Sequence, residues 1–133
     1  MQKNVIAVLV AGMALAACQS APNSGGTLAD IPADYRAKTA AMFYRQLKDP
    51  YSVRDAEISQ PLMVFTSVVE GGTHPGFCVR FNSKNSFGAY GGSTTYPVWF
   101  SATAQPGYFA DDTLNRCAKA TGWEPFNELM ARS

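Results

Sequence analysis

The placement of three cysteines, Cys18, Cys78 and Cys117, constrains this chain more than any other feature, because it divides a leader from a domain that two of them can staple. Residues 1–17 begin with the basic Lys3 and continue as an apolar run from Val5 to Ala17, broken only by Gly12. This is the layout of an export signal. A bilayer-spanning helix needs roughly 20 apolar residues, and this run has about a dozen, with no later segment long enough to replace it. Residues 1–17 are therefore expected to be a cleaved signal peptide.

The run ends in Leu15, Ala16, Ala17 and Cys18, which resemble the lipobox of bacterial lipoproteins. The resemblance implies cleavage just before Cys18 and diacylglyceryl on its sulfur, with palmitate or a similar acyl chain holding the chain to a membrane. Each buried methylene contributes about 0.8 kcal/mol, so two or three acyl chains anchor stably where one does not. Gln19, rather than Asp, follows the cysteine, and by resemblance to lipoprotein sorting this favours the outer membrane, facing the periplasm. The competing reading is an ordinary secreted protein, since Ala14 and Ala16 satisfy a plain cleavage site and leave Cys18 a spare thiol. With Cys18 lipidated, Cys78 and Cys117 form an even pair suited to a disulfide in an oxidising compartment. A closed loop of about 40 residues would then contribute roughly 4 kcal/mol in the chain-entropy view. A reduced pair serving as metal ligands or as a nucleophile stays open as the alternative.

Lys3 is the only charged residue of the leader, so its removal leaves ten basic and ten acidic side chains. A neutral domain without a Lys/Arg run has no electrostatic footprint for a phosphate backbone, so nucleic acid is not an expected partner. The remaining chain, about 116 residues, is long enough for one core. Residues 18–30 read as the lipidated terminus and a flexible Gly/Ser-rich tether, and residues 31–133 as a single periplasmic domain that carries every aromatic residue.

Within that domain the first helix is the clearest element. Pro32 and Asp34 suit its start, Tyr35, Met42, Phe43, Gln46 and Leu47 keep a helical repeat, and Lys48, Asp49 and Pro50 stop it. Ser52 is placed to bond the backbone of that turn. The apolar stretch 56–69 reads as one buried strand, with Pro61 at its start or edge. After a Gly/Pro turn holding His74, the alternation of Phe77, Val79 and Phe81 with Cys78 and Arg80 puts the aromatics on one face and the cysteine on the other. A third strand runs through Thr94, Tyr96, Val98 and Phe100. Asp111 or Asp112 then caps a second helix with Leu114, Cys117, Ala118 and Thr121 as its stripe and Gly122 as its stop, followed by a short turn or helix from Pro125 to Met130. The predicted fold class is α+β: a small antiparallel sheet of about three strands packed by an N-terminal and a C-terminal helix.

The segment from Asn82 to Gly92 holds Lys84, Asn85, Ser86, Phe87 and Tyr90 among glycines. With Lys48, Asp49, Pro50 and Ser52, and with the cysteine before it, it resembles a family of small bacterial envelope and phage-associated domains. Their shared motifs are Lys-Asp-Pro-x-Ser and Asn-x-Lys-Asn-Ser-x-Gly-x-Tyr-x-Gly. The resemblance covers most of 35–100 and implies fold and class rather than chemistry. Read from the residues, the segment is either a plain hairpin connection, in which Asn and Gly take positive φ, or a recognition loop. In the second case Lys84 supplies charge, Asn85 and Ser86 hydrogen bonds, and Phe87 and Tyr90 contact area.

No catalytic motif is present: there is no nucleophile elbow, His-Glu-x-x-His, phosphate loop or dinucleotide fingerprint. Neither a cofactor nor a metal site is expected, and a disulfide to Cys117 would remove Cys78 as a thiol nucleophile beside His74. A deep cavity joining His74 to acids or hydroxyls would favour an enzyme. The leading expectation is a non-enzymatic, lipid-anchored binding or scaffolding module for another envelope protein, with Tyr90 and Tyr96 exposed near its contact surface. The runner-up is a small inhibitor or ligand-binding lipoprotein acting on a cell-wall enzyme.

Overall fold

The structure is a computed structural model that describes residues 25–69 and 71–130. Cys18 and the whole leader lie outside the described residues. Helix α1 (Tyr35–Gln46) starts after Asp34 and ends where Leu47 turns extended. A 3-10 turn, Pro50–Ser52, leads into β1 (Arg54–Ile58), followed by β2 (Leu62–Phe65), β3 (Thr73–Asn82), β4 (Thr94–Phe100), β5 (Pro106–Tyr108) and β6 (Glu124–Pro125). A one-turn helix, α2 (Asn127–Met130), closes the described chain.

The strands form one six-stranded antiparallel sheet in the order β5-β4-β3-β1-β6, with β2 also on β3. This corrects the expected fold class: a sheet of six strands dominates, with only two short helices, in place of a sheet of about three strands packed by an N-terminal and a C-terminal helix. One cause is that the apolar stretch 56–69 is two strands. At its break the amide of Ser59 still reaches Cys78 O, but the amide of Gln60 turns away to Thr121 O, and Pro61 follows. β1 therefore pairs with the far end of β3, Arg54 opposite Asn82, and β2 with its near end, Phe65 opposite Thr73. A second cause is length. β5 and β6 have three and two residues, too few to display a period of two in the sequence.

β3 begins earlier than expected and includes His74, Pro75 and Gly76. Pairing with β4 starts only at Gly76, so Pro75, which lacks an N–H, sits where β2 is the only neighbour. Gly76 is required where it stands, because a Cβ there would lie 1.9 Å from Val98 O. In β1, Asp55 adopts φ 55° at an irregularity in the register, a conformation Asp tolerates better than most residues.

One face of the sheet carries the core. Phe43 of α1 meets Phe81, Tyr96 and Tyr108 with ring centroids 5.0–5.3 Å apart, and Tyr35 meets Phe77 at 5.1 Å. These are edge-to-face or tilted geometries, which aromatic quadrupoles favour. α2 joins α1 on this face, with Leu129 of α2 and the preceding Phe126 both buried. The link is polar as well: Arg36 donates to both carboxylate oxygens of Glu128, at 2.7 and 2.9 Å, and to Pro125 O at 2.8 Å. That pairing raises the Arg36 pKa and holds the Glu128 carboxyl below its ordinary value.

The opposite face is covered by 109–123, and here the expected second helix is replaced by turns. Asp112 does accept amide hydrogens, from Arg116 through Oδ1 and from Cys117 through Oδ2, as a cap would. Propagation stops at Asn115, whose φ of 55° lies in the left-handed region, and Leu114 points to solvent. The Cys78–Cys117 disulfide, with Cα atoms 5.9 Å apart, clips these turns to the central strand β3. Arg80 beside it stacks on Trp123 at 4.1 Å and donates to Glu57 Oε2 at 2.6 Å. Among the described residues no helix is long and apolar enough to cross a membrane.

Candidate functional site

The 84–90 loop connects β3 to β4 and is built around its own backbone. Lys84 and Tyr90 pair as an antiparallel bridge, the Asn85 amide donates to Ala89 O at 2.9 Å, and the Gly88 amide donates to Asn85 O at 3.0 Å. The Asn85 side chain fills the turn, its Oδ1 accepting from Phe87 N at 2.9 Å and from Ala89 N at 3.2 Å. Gly88 has φ +74°, in the left-handed region where a side chain would be strained. Asn85 and Gly88 thus serve the turn.

Both ends of the loop are fastened to one residue, Ser52. Its hydroxyl donates to Asp49 O at 2.7 Å and accepts the Lys84 amide at 2.8 Å, while its carbonyl accepts the Tyr90 hydroxyl at 2.9 Å. The Arg54 guanidinium stacks 3.6 Å from the centroid of the Tyr90 ring, and the Lys84 ammonium lies 5.8 Å from it. Such contacts at partly exposed sites contribute about 0.5–1 kcal/mol each. The two sequence motifs are therefore one physical unit: the serine of the first is the anchor for the lysine and tyrosine of the second. Sequence reasoning found both motifs but not their contact, and it passed over Arg54 entirely. The signal for the contact was their joint occurrence on either side of the segment that forms β1, β2 and β3.

The expected binding residues accordingly separate. Tyr90 is half-buried and acts as a brace. Tyr96, expected to be exposed, is stacked on Phe81 at 4.7 Å, and burial raises its pKa. Ser86 is exposed at the turn, and Phe87 at its apex is 93% exposed. Beneath the loop lies an open cavity of about 220 Å³ lined by Phe81, Ser83, Lys84, Asn85, Thr94 and Tyr96. A cationic, amide-bearing and aromatic surface of this kind offers hydrogen bonds and contact area.

At the other end of β3, His74 is buried within the strand, not in a turn, 5.4 Å from the Trp99 ring. The amide of Gly25 donates to Thr73 O at 2.7 Å, and a Cβ on Gly25 would lie 2.0 Å from the imidazole, so the glycine backbone is pressed against His74. Gly26 has φ +123°, and the next turn, Leu28–Asp30, is closed by Asp30 Oδ2 accepting from Thr27 N at 2.6 Å and Thr27 Oγ1 at 2.9 Å. Residues 25–30, expected as part of the tether, are thus docked on the sheet. A cavity of about 530 Å³ opens here, lined by Gly25, Gly26, Asp30, His74, Pro75 and Ser101 among others. Asp30 is engaged by Thr27 and Ser101 by Thr103, each within its own turn. Among the described residues no group of three or more His, Cys, Asp or Glu side chains could hold a metal ion.

Compared with family models, curated proteins and solved structures, the chain matches none. The resemblance to envelope and phage-associated domains rests on its motifs alone.

Proposed function

We propose that this chain is a lipid-anchored cell-envelope protein whose domain binds or scaffolds another envelope protein through the 84–90 loop. The observation that carries the reading is Phe87: a large apolar ring, 93% exposed, held at the apex of a loop whose base is fixed by Ser52, Tyr90 and Arg54. An exposed aromatic on a braced loop loses little entropy when it enters a partner's pocket, which is the usual make-up of a binding hot spot. The Cys78–Cys117 disulfide supports an oxidising compartment. The anchor is proposed from the 15–18 motif. Photo-crosslinking from position 87 in intact cells tests the reading. A discrete adduct, lost when Arg54→Ala loosens the loop, is expected; absence of any adduct in cells with the protein folded and membrane-bound overturns it.

A second reading has one observation behind it. The 530 Å³ cavity brings His74 together with Asp30 and Ser101, the combination that favours a small-ligand or catalytic site. The readings separate cleanly: Phe87→Ala abolishes a scaffold and spares the cavity, whereas His74→Ala does the reverse. An inhibitor acting through the loop predicts that the domain released from its anchor still suppresses a lysozyme-like hydrolase.

A further inference from the structure

The two hairpin tips that extend β3 differ in what they expose. Beyond Asn82 is the 84–90 loop; beyond Thr73 is the loop joining β2 to β3. The neck of that second loop is closed by hydrogen bonds from Thr66 N to Gly72 O, 2.8 Å, and from Gly72 N to Ser67 O, 2.7 Å. Val68 and Val69 stand above the neck, 82% and 91% exposed, with Phe65 at its base 45% exposed. Two adjacent β-branched residues held in water at a closed tip gain nothing for the fold.

The position of Gly25 supplies their partner. Its bond to Thr73 O and its contact with His74 fix the point at which the preceding chain meets the sheet, and that point is the root of the valine tip. Cys18 is seven residues earlier. Seven residues reach at most about 25 Å when fully extended. β3 has ten residues and so runs about 30 Å from Thr73 to Asn82. A lipid on Cys18 therefore keeps the root of the valine tip within about 25 Å of the bilayer, less than the length of β3, so the valine end is the one held nearer the membrane.

We propose that Val68 and Val69 form a second membrane contact, inserted at the headgroup boundary beside the lipidated terminus, so that Phe87 is presented away from the bilayer. The inference rests on lipidation of Cys18. An acyl anchor alone leaves a domain free to tumble on its tether, and a small apolar wedge at the tether's root removes that freedom. Arg116 reinforces the wedge from behind, donating to the carbonyls of Phe65 at 2.7 Å and Thr66 at 3.3 Å.

The test uses the full chain, produced in a host that processes lipoproteins and reconstituted into phosphatidylethanolamine/phosphatidylglycerol vesicles. Val69→Cys and Phe87→Cys variants, with the Cys78–Cys117 disulfide intact, are labelled with an environment-sensitive fluorophore. The label at position 69 is expected to be quenched several-fold more by doxyl-labelled lipid than the label at 87, and the label at 87 to be quenched by aqueous iodide. Equal iodide quenching at both positions, with no effect of doxyl lipid at 69, overturns the proposal even when intact mass shows diacylglyceryl on Cys18. If the mass shows a bare Cys18, the anchoring reading is what has failed, and this inference falls with it.

Discussion

The two ends of β3 solve opposite problems with similar numbers of residues. The 84–90 loop is braced from within by Asn85 and from below by Ser52, and it holds a single aromatic ring in water. The valine loop is closed only at its neck, and the structure around its root is supplied by other segments: Gly25 against His74, and Arg116 on the carbonyls of Phe65 and Thr66. One end is a loop that braces itself through Asn85 and is fastened at its base by Ser52 and Arg54. The other is a junction where the N-terminal chain, the sheet and the disulfide-clipped turns converge.

That contrast can be broken most forcefully at the disulfide. Replacing Cys78 and Cys117 with serine should cost about 2–4 kcal/mol, read as a lowered midpoint in chemical denaturation. Hydrogen exchange should accelerate in 109–123 and 62–73 while 84–90 keeps its protection. Equal loosening at both ends would show that the junction is not separately supported.

Next in size is Gly25→Ala. The new methyl group meets the imidazole of His74, so either the strand shifts or the terminus undocks, with an expected cost of about 1–3 kcal/mol. The amide at position 25 donates to Thr73 O, and its exchange becoming faster in the variant than in the parent identifies undocking.

At the presenting end, Tyr90→Phe removes only the hydroxyl that reaches Ser52 O and should cost about 0.5–1.5 kcal/mol in thermal or denaturant unfolding. Phe87→Ala should change stability by no more than about 0.5 kcal/mol, because the ring touches nothing that the fold needs. A larger loss would mean that the apex is structural rather than presented.

A small, pH-dependent effect lies away from both ends, at the Arg36–Glu128 pair. The Arg36 hydrogen bond is the main cause holding the Glu128 carboxyl below its ordinary value near 4.5. The folded state then binds fewer protons than the unfolded state around that pH, so the contribution is present above it and is lost as pH falls through the depressed value. Since the Glu128 side chain is 40% exposed, screening limits the gain to about 1 kcal/mol or less. Glu128→Gln should flatten the acid limb of the stability profile slightly and leave neutral-pH stability within that margin.

The same contrast explains what the sequence made legible. α1 was readable because its apolar positions repeat along twelve residues between Asp34 and Asp49-Pro50, and the face of β3 that carries Phe77, Val79 and Phe81 was readable because it alternates. The turn chemistry of Asn85 and Gly88 was readable for the same reason: it is local. What stayed hidden depends on distant partners. Residues 114–121 satisfy a helical repeat, yet Asn115 and the bond to Cys78 hold them in turns. Gly25 and Gly26 look like tether residues in isolation. Only the position of His74, 49 residues further along the chain, shows that Gly25 must be a glycine for close packing. Ser52 likewise reads as a helix stop until the Lys84 amide and the Tyr90 hydroxyl arrive.

The polarity proposed for the molecule, one tip at a bilayer and the other at a partner, depends on a single covalent modification. Intact mass spectrometry of the protein extracted from bacterial membranes tests it most directly. The account predicts a chain beginning at Cys18, with the added mass of diacylglyceryl and a disulfide between Cys78 and Cys117. A chain that keeps Met1, or one whose Cys18 carries a free thiol, contradicts it.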